Sequence, residues 1–282
     1  MIYLSRHWKT KEFIPETGMK SQPWRIYSPG QDKEFRISRS GVSDFINCPR
    51  CFYLNKVQGL KDIDTIPFTL NNTVDELVKR EFDQCREKQI AHEVMVENKL
   101  DAVPFQHDDL NKWRNSRTQG VEYHHKKLNL LLAGGIDDVW MIKNSKPVEL
   151  IMVDYKAQAK KDKVNDKDYL EDKFHQGYKF QLEFYRYLFT NIGFEVYPNG
   201  YFLVYNAVQD RKEFGTVMKF ERSLVKYKFE RSVDEIEKIV QEMKKVMDGN
   251  KIPKSNTSCQ NCAFIRAGSK FLNGKEKIDG KK

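Results

Sequence analysis

Residues 134–156 read GGIDDVWMIKNSKPVELIMVDYK, and this stretch decides the fold that the sequence predicts. Apolar runs near 134–142 and 148–156 flank the turn-forming residues 144–147. Two β-rich runs separated by such residues are typical of a β-hairpin. A pair of strands joined by a four-residue turn is therefore the first element that we expect.

The register of this hairpin determines which charged residues meet. If the hairpin closes symmetrically about its turn, Asp137 lies opposite Asp154. Side chains alternate along a strand, so Asp154 and Lys156 share one face. Like charges directly across a strand pair destabilise a sheet by up to about 1 kcal/mol. A bound Mg²⁺ or Mn²⁺ would reverse that penalty, because these ions prefer carboxylate ligands. The structural alternative is that Asp137 and Asp138 close one strand end, and that Asp154 pairs with Lys156 or a nearby lysine at the surface.

The composition favours a folded protein with a polyanionic partner. The chain has 282 residues and a formal net charge of +9, and its 13 Tyr and 18 Phe can fill a core. No apolar run approaches the roughly 20 residues of a transmembrane helix. The N-terminus lacks the apolar region of a signal peptide. We therefore expect no membrane segment and a cytoplasmic protein.

The remaining pattern divides the chain into three parts. Residues 1–37 predict an irregular arm with a short strand near 24–27, residues 38–266 a folded domain, and residues 267–282 a disordered basic tail. Within the domain, a strand containing His124 and His125, a strand near 128–133 and the hairpin predict an antiparallel meander. Helices are expected within 40–57, at 73–88, at 173–192 and after Ser232, and strands at 200–208, 214–220 and 224–230.

Two of these helices carry polar residues next to apolar ones. Thr73 with Glu76, and Ser232 with Glu235, have the spacing of capping boxes. Asp75 follows the first cap, in line with the apolar residues of its helix, and the helix dipole alone would favour an acid there.

The helix at 173–192 places Gln181 and Tyr185 on one packed face. A buried amide needs partners. Gln181 either bonds to a neighbouring backbone group, or it faces an active site together with Tyr185, where the two would hold a nucleotide or a metal-bound water.

Four of the five cysteines form two C-x-x-C pairs, Cys48 with Cys51 and Cys259 with Cys262. Four thiolates that meet suit zinc or an iron–sulfur cluster. The alternatives are a redox dithiol protein and two unrelated pairs of thiols.

The motifs occur in an order that resembles the PD-(D/E)xK nuclease superfamily, in particular its RecB-type branch. The matching residues are Gly135-Ile136-Asp137, Asp154-Tyr155-Lys156, and Gln181 with Tyr185, and the resemblance covers about 38–266. It implies an α/β fold, with a restriction-endonuclease-like mixed sheet flanked by helices and terminal segments joined by a four-cysteine site. It also implies a Mg²⁺- or Mn²⁺-dependent deoxyribonuclease, in particular an exonuclease on single-stranded or end-frayed DNA.

The resemblance assigns roles to individual residues. The implied catalytic residues are Asp137, Asp154, Lys156, Gln181 and Tyr185, and the implied metal ligands are Asp75, Asp137, Asp154 and the carbonyl of Tyr155. The family places a histidine where this chain has Asp75, which leaves a non-catalytic nucleic-acid-binding module as the alternative function. Related exonucleases carry a 4Fe–4S cluster on one cysteine before the core and three after it. Here the cysteines divide two and two, so zinc remains the alternative to the cluster.

Overall fold

The computed structural model describes residues 4–63, 69–210, 212–213 and 215–272. The chain divides into two compact units. The first comprises Met1–Phe35, Ser40–Ile66 and Ile239–Lys282, and the second comprises Arg36–Arg39 and Pro67–Lys238. The hairpin lies in the second unit, and the four cysteines of the two C-x-x-C pairs lie in the first.

Helices and strands follow one another in runs along the chain. The helices are α1 (Arg39–Asn47), α2 (Pro49–Lys56), α3 (Thr69–Lys88), α4 (Glu93–Glu97), α5 (Leu110–Arg114), α6 (Asp166–Glu171), α7 (Gln176–Asn191), α8 (Val233–Asp248) and α9 (Gln260–Leu272). The strands are β1 (Phe35–Ser38), β2 (Ala102–Pro104), β3 (Val121–His125), β4 (Leu130–Gly134), β5 (Asp138–Ile142), β6 (Glu149–Gln158), β7 (Glu195–Val196), β8 (Asn199–Ala207) and β9 (Phe220–Lys228).

The larger sheet mixes parallel and antiparallel pairs. Its order is β2-β5-β6-β8-β9, with β7 also pairing with β6. Strand β6 is antiparallel to β5 and parallel to β8. Helix α3 packs against β6 and β2, and α7 contacts β6. The predicted α/β class, a mixed sheet flanked by helices, is therefore confirmed.

The predicted register of the hairpin is also confirmed. Asp138 lies opposite Val153, and Trp140 lies opposite Ile151, which is the pairing obtained by closing the hairpin symmetrically. The core beneath it contains Phe82 of α3, whose ring stacks on Trp140 with centroids 5.2 Å apart. Pairing and packing together fix which face of β6 each side chain takes.

The predicted meander was wrong, because the chain bends between β4 and β5. Strands β3 and β4 pair with each other but belong to a separate sheet of order β1-β4-β3. At the bend, a Cβ atom on Gly135 would lie 2.4 Å from the Cβ of Ser116, so only glycine allows this approach. The packing partner is distant in sequence, which is why the strand pattern alone did not reveal the bend.

Four local predictions also need correction. Helix α3 begins at Thr69, so Thr73 is not a cap, and its hydroxyl donates to the Thr69 carbonyl at 3.1 Å. Residues Pro23–Arg25 form a 3₁₀ turn instead of a strand. One strand, β9, replaces the two expected at 214–220 and 224–230. Helix α9 continues to Leu272, into the predicted tail, and residues 273–282 lie outside the described residues.

Other local predictions hold. The Ser232 hydroxyl accepts from the Glu235 amide at 3.2 Å, and the Glu235 carboxylate accepts from the Ser232 amide at 2.7 Å, as a capping box requires. Pro49 begins α2. Within the described residues, none of the helices has the length and apolar character needed to cross a membrane.

Candidate active site

The bend and strand β6 bring the two hairpin acids together. Asp154 is completely buried in β6, and Asp137 is the last residue before β5. The Oδ2 atom of Asp137 accepts a 2.8 Å hydrogen bond from the backbone amide of Tyr155, the residue after Asp154. The Asp137 carboxylate is close enough to raise the pKa of Asp154. The sequence predicted this meeting of Asp137 and Asp154.

Helix α3 adds a third acid and a lysine. The Nζ atom of Lys79 lies 2.6 Å from Oδ2 of Asp75, one helical turn earlier, and 3.8 Å from Oδ1 of Asp137. Asp75 thus lies beside Asp137, as its predicted role requires. The sequence interpretation did not identify Lys79, although its position four residues after an acid was a signal for an ion pair.

Lys156 pairs with Asp154 from the same strand. Its Nζ atom contacts Oδ2 of Asp154 and lies 4.5 Å from the ring centroid of Tyr178. This is the shared face that strand alternation predicted. The ammonium group therefore lies between an acid and an aromatic ring.

Burial and mutual repulsion govern the charges of the acids. Burial, together with the nearby Asp137 carboxylate, raises the pKa of Asp154 to about 7 even though Lys156 opposes the shift. Burial and Asp137 also raise the pKa of Asp75. Burial would lower the pKa of Lys156, but Asp154 and Asp137 together hold it above its usual value. Burial and the neighbouring Asp137 thus raise the proton affinity of Asp75 and Asp154, while Lys79 and Lys156 pair with these acids.

Helix α7 supplies the two polar residues predicted from its packed face. Gln181 donates its Nε2 hydrogens to Oδ1 of Asp154 at 2.7 Å and to the Tyr185 hydroxyl at 3.0 Å. The Tyr185 hydroxyl in turn donates to the carbonyl of Gly135. Both side chains therefore hold the acid-bearing backbone in place.

The three residues of the bend are held by two helices. The Gly135 carbonyl is held by Tyr185, the Ile136 amide donates to the Trp113 carbonyl at 3.1 Å, and the Asp137 carbonyl accepts from Nε of Arg114 at 3.1 Å. The conformation of the bend is consequently fixed from α7 and α5 at once. Arg114 was not identified from the sequence.

Behind the bend, the neighbouring carboxylate of Asp138 points into the core. It is fully buried and accepts from Nη2 of Arg114 at 2.8 Å, from Nε1 of Trp140 at 3.0 Å and from the Tyr155 hydroxyl at 2.7 Å. Arg86 contributes a further ion pair. A buried carboxylate with this many hydrogen-bond and ion-pair partners orders the residues around it. The predicted carbonyl role of Tyr155 remains a prediction.

The acids fit a divalent cation. Three carboxylates converge, and Oδ2 of Asp154 is buried with the Lys156 ion pair but accepts no well-formed hydrogen bond from the described part of the chain. Oxygen donors of this kind are what Mg²⁺ and Mn²⁺ prefer. An open cleft of about 540 Å³ gives access, and it is lined by Asn71, Val74, Asp75, Tyr155, Lys156, Ala157 and Tyr178.

The four paired cysteines meet in the first unit. The Sγ atom of Cys51 lies 3.5 Å from that of Cys259 and 3.4 Å from that of Cys262, while Cys48 and Cys262 are 3.8 Å apart. All four sulfur atoms lie within 4.8 Å of one another. The prediction that the two C-x-x-C pairs come together is confirmed.

This cluster of thiols fits a metal. Although burial opposes ionisation, backbone amides at Cys51 and Asn256 bring the pKa of Cys48 down to about 7. Burial and the neighbouring thiols raise the pKa of Cys51. Thiolates this close together repel one another, so a bound cation would be needed to hold them. Metal binding then releases the protons of the thiols.

Comparison with known proteins gives two matches. A family model described as the PD-(D/E)XK nuclease superfamily matches residues 36–267. The chain is also similar to a solved structure from Eubacterium rectale described as a "Putative exonuclease", with 15% identity and a TM-score of 0.43. That alignment covers 94% of this chain and 97% of the other. No curated protein matches.

Proposed function

The chain belongs to the PD-(D/E)XK nuclease superfamily, and on this basis we propose that it hydrolyses phosphodiester bonds of DNA with the aid of Mg²⁺ or Mn²⁺. The proposed activity is that of a RecB-like exonuclease on single-stranded or end-frayed DNA. The net charge of +9 supports a polyanionic substrate.

One observation carries the proposal, namely the placement of Asp137 beside Asp154 with Lys156 on the same face. The backbone amide of Tyr155 orients Asp137, and Gln181 orients Asp154. Two oriented acids beside an ammonium that lines an open cleft suit metal-assisted phosphodiester hydrolysis. Asp137 and Asp154, with Asp75 and the Tyr155 carbonyl, would hold the ion.

When bound, a divalent ion offsets charge on the phosphate and makes water a better nucleophile at neutral pH. The Lys156 ammonium would orient the attacking water or offset negative charge that develops on phosphorus. Gln181 and Tyr185 keep Asp154 and the bend in position through their hydrogen bonds to Asp154 and Gly135. Their role is therefore positional.

For the cysteines we propose a structural metal site. Four thiolates around one zinc ion, with Zn–S bonds of about 2.3 Å, would be about 3.8 Å apart at the edges of a tetrahedron. In a 4Fe–4S cluster each cysteine binds a different iron, which spaces the sulfur atoms more widely. Three of the six sulfur separations are 3.4, 3.5 and 3.8 Å and none exceeds 4.8 Å, which favours a single ion over the cluster.

The test of the nuclease proposal is the Asp154→Ala variant. We expect it to lose cleavage of end-labelled single-stranded DNA in Mn²⁺ by at least 100-fold while its DNA affinity changes by less than threefold. The matched control is Asp162→Ala, which removes an exposed acid from the loop after β6.

Cleavage by Asp154→Ala at the wild-type rate would refute the site. Binding of DNA by the wild-type protein without Mn²⁺-dependent cleavage would favour the non-catalytic module. RNA, double-stranded DNA and blocked ends in the same assay define the substrate and distinguish exonuclease from endonuclease action.

A further inference from the structure

Lys79 lies between two acids of the proposed metal site. Its Nζ atom is hydrogen-bonded to Oδ2 of Asp75 at 2.6 Å and lies 3.8 Å from Oδ1 of Asp137. Among the described residues, both ion pairs of this lysine are with acids of the site. Its side chain is 20% exposed. The ammonium group is thus a built-in cation of the site.

The two lysines of the site occupy different positions. Lys156 contacts Asp154, and its ammonium also has the ring of Tyr178 as a partner 4.5 Å away. Lys79 instead joins Asp75 of helix α3 to Asp137 of the bend. Asp154 neighbours Asp137 but is not one of the two acids that Lys79 joins. Its Oδ2 atom accepts no well-formed hydrogen bond from the described residues. Lys79 is hydrogen-bonded to Asp75, whereas Lys156 contacts Oδ2 of Asp154 without a well-formed hydrogen bond, so an added cation is accommodated more readily at Asp154.

The acids and the lysines of the site nearly balance in charge. Asp75, Asp137 and Asp154 carry three negative charges when ionised, and Lys79 and Lys156 carry two positive ones. A divalent ion and an ammonium group compete for the same carboxylate oxygens. Because Lys79 is anchored one helical turn from Asp75, it stays where a second ion would otherwise bind.

We propose that the Lys79 ammonium takes the place of a second divalent ion, so that the site binds one ion, at Asp137 and Asp154. This inference rests on the proposed function and deepens it, because it states how many ions the nuclease uses. The test measures binding and therefore does not depend on cleavage.

The experiment counts Mn²⁺ ions bound by the full-length protein, using isothermal titration calorimetry and the electron paramagnetic resonance signal of free Mn²⁺. The number of ions at the site is the number that a protein binds minus the number that the double variant Asp137→Ala, Asp154→Ala binds. We expect one ion in the wild-type protein and two in Lys79→Met and in Lys79→Gln. The control Arg80→Met removes an exposed positive charge from the next position of α3 and should bind one ion.

Two ions in the wild-type protein would overturn the inference while leaving the proposed nuclease site intact. One ion in both Lys79 variants would also overturn it, since the acids would then have no second ion-binding position for Lys79 to occupy. Equal Mn²⁺ binding by the wild-type protein and the double variant would instead refute the metal site itself. Circular dichroism of the two Lys79 variants verifies that the counts refer to folded protein.

Discussion

Asp137 accepts a 2.8 Å hydrogen bond through its Oδ2 atom from the backbone amide of Tyr155. Asp137 lies just before β5, which begins at Asp138. Its side chain therefore extends the pairing of β5 with β6 by one further hydrogen bond. The bond aligns one acid with the backbone immediately after the other. The relative position of Asp137 and Asp154 therefore depends on the bend as much as on the ladder.

Removal of the Gln181 amide should weaken metal binding. In Gln181→Ala, Asp154 loses the donor at 2.7 Å that orients its Oδ1 atom. Side chains that orient metal ligands typically change metal affinity or activity by about 10- to 100-fold when removed. We expect a loss of Mn²⁺ affinity of about tenfold by calorimetry, with the stability of the protein little changed.

Gln176→Ala is the matched control, because it removes an exposed glutamine from the start of the same helix. An unchanged Mn²⁺ affinity in Gln181→Ala would show that Asp154 needs no support from α7.

Loss of Arg114 should destabilise the second unit. This guanidinium, 9% exposed, pairs with Asp138 and Asp83 and holds the Asp137 carbonyl. Leaving the fully buried Asp138 short of a partner should cost about 3–5 kcal/mol, and Arg86 should keep the loss near the lower figure. Urea unfolding of Arg114→Ala, compared with exposed Arg117→Ala, measures the difference. A change below about 0.5 kcal/mol would show that Arg86 alone suffices for Asp138.

The affinity for Mn²⁺ should rise with pH between 6 and 8. Burial and Asp137 raise the pKa of Asp154 to about 7. A proton and a metal ion compete for this carboxylate, so affinity falls below the pKa and levels off above it. With this pKa the ionised fraction grows about tenfold from pH 6 to pH 8, and the affinity should follow. Affinity that stays constant over this range would place the pKa of Asp154 well below 6.

The sequence predicted the hairpin register and the meeting of Asp137 and Asp154, because turn residues and strand alternation are local signals. It did not predict the bend, since the bend requires Gly135 to approach Ser116 closely, and Ser116 is distant in the chain. Lys79 and Arg114 were missed for a similar reason. An ion pair on a helix looks like a solvated surface until tertiary packing places it against an acid of another element.

The cysteine cluster yields the last prediction. Full-length protein purified without oxygen should contain about one zinc ion per chain and should lack visible absorption, because three sulfur separations are close to the edge of a single tetrahedral site and none exceeds 4.8 Å. Cys262→Ser should lose this metal and lower the thermal stability, whereas Cys85→Ser, outside the cluster on α3, should retain both. Four iron atoms per chain with a brown colour would instead support the 4Fe–4S cluster that the resemblance implied. Either metal would exclude a simple dithiol, since a redox pair must remain free to form a disulfide.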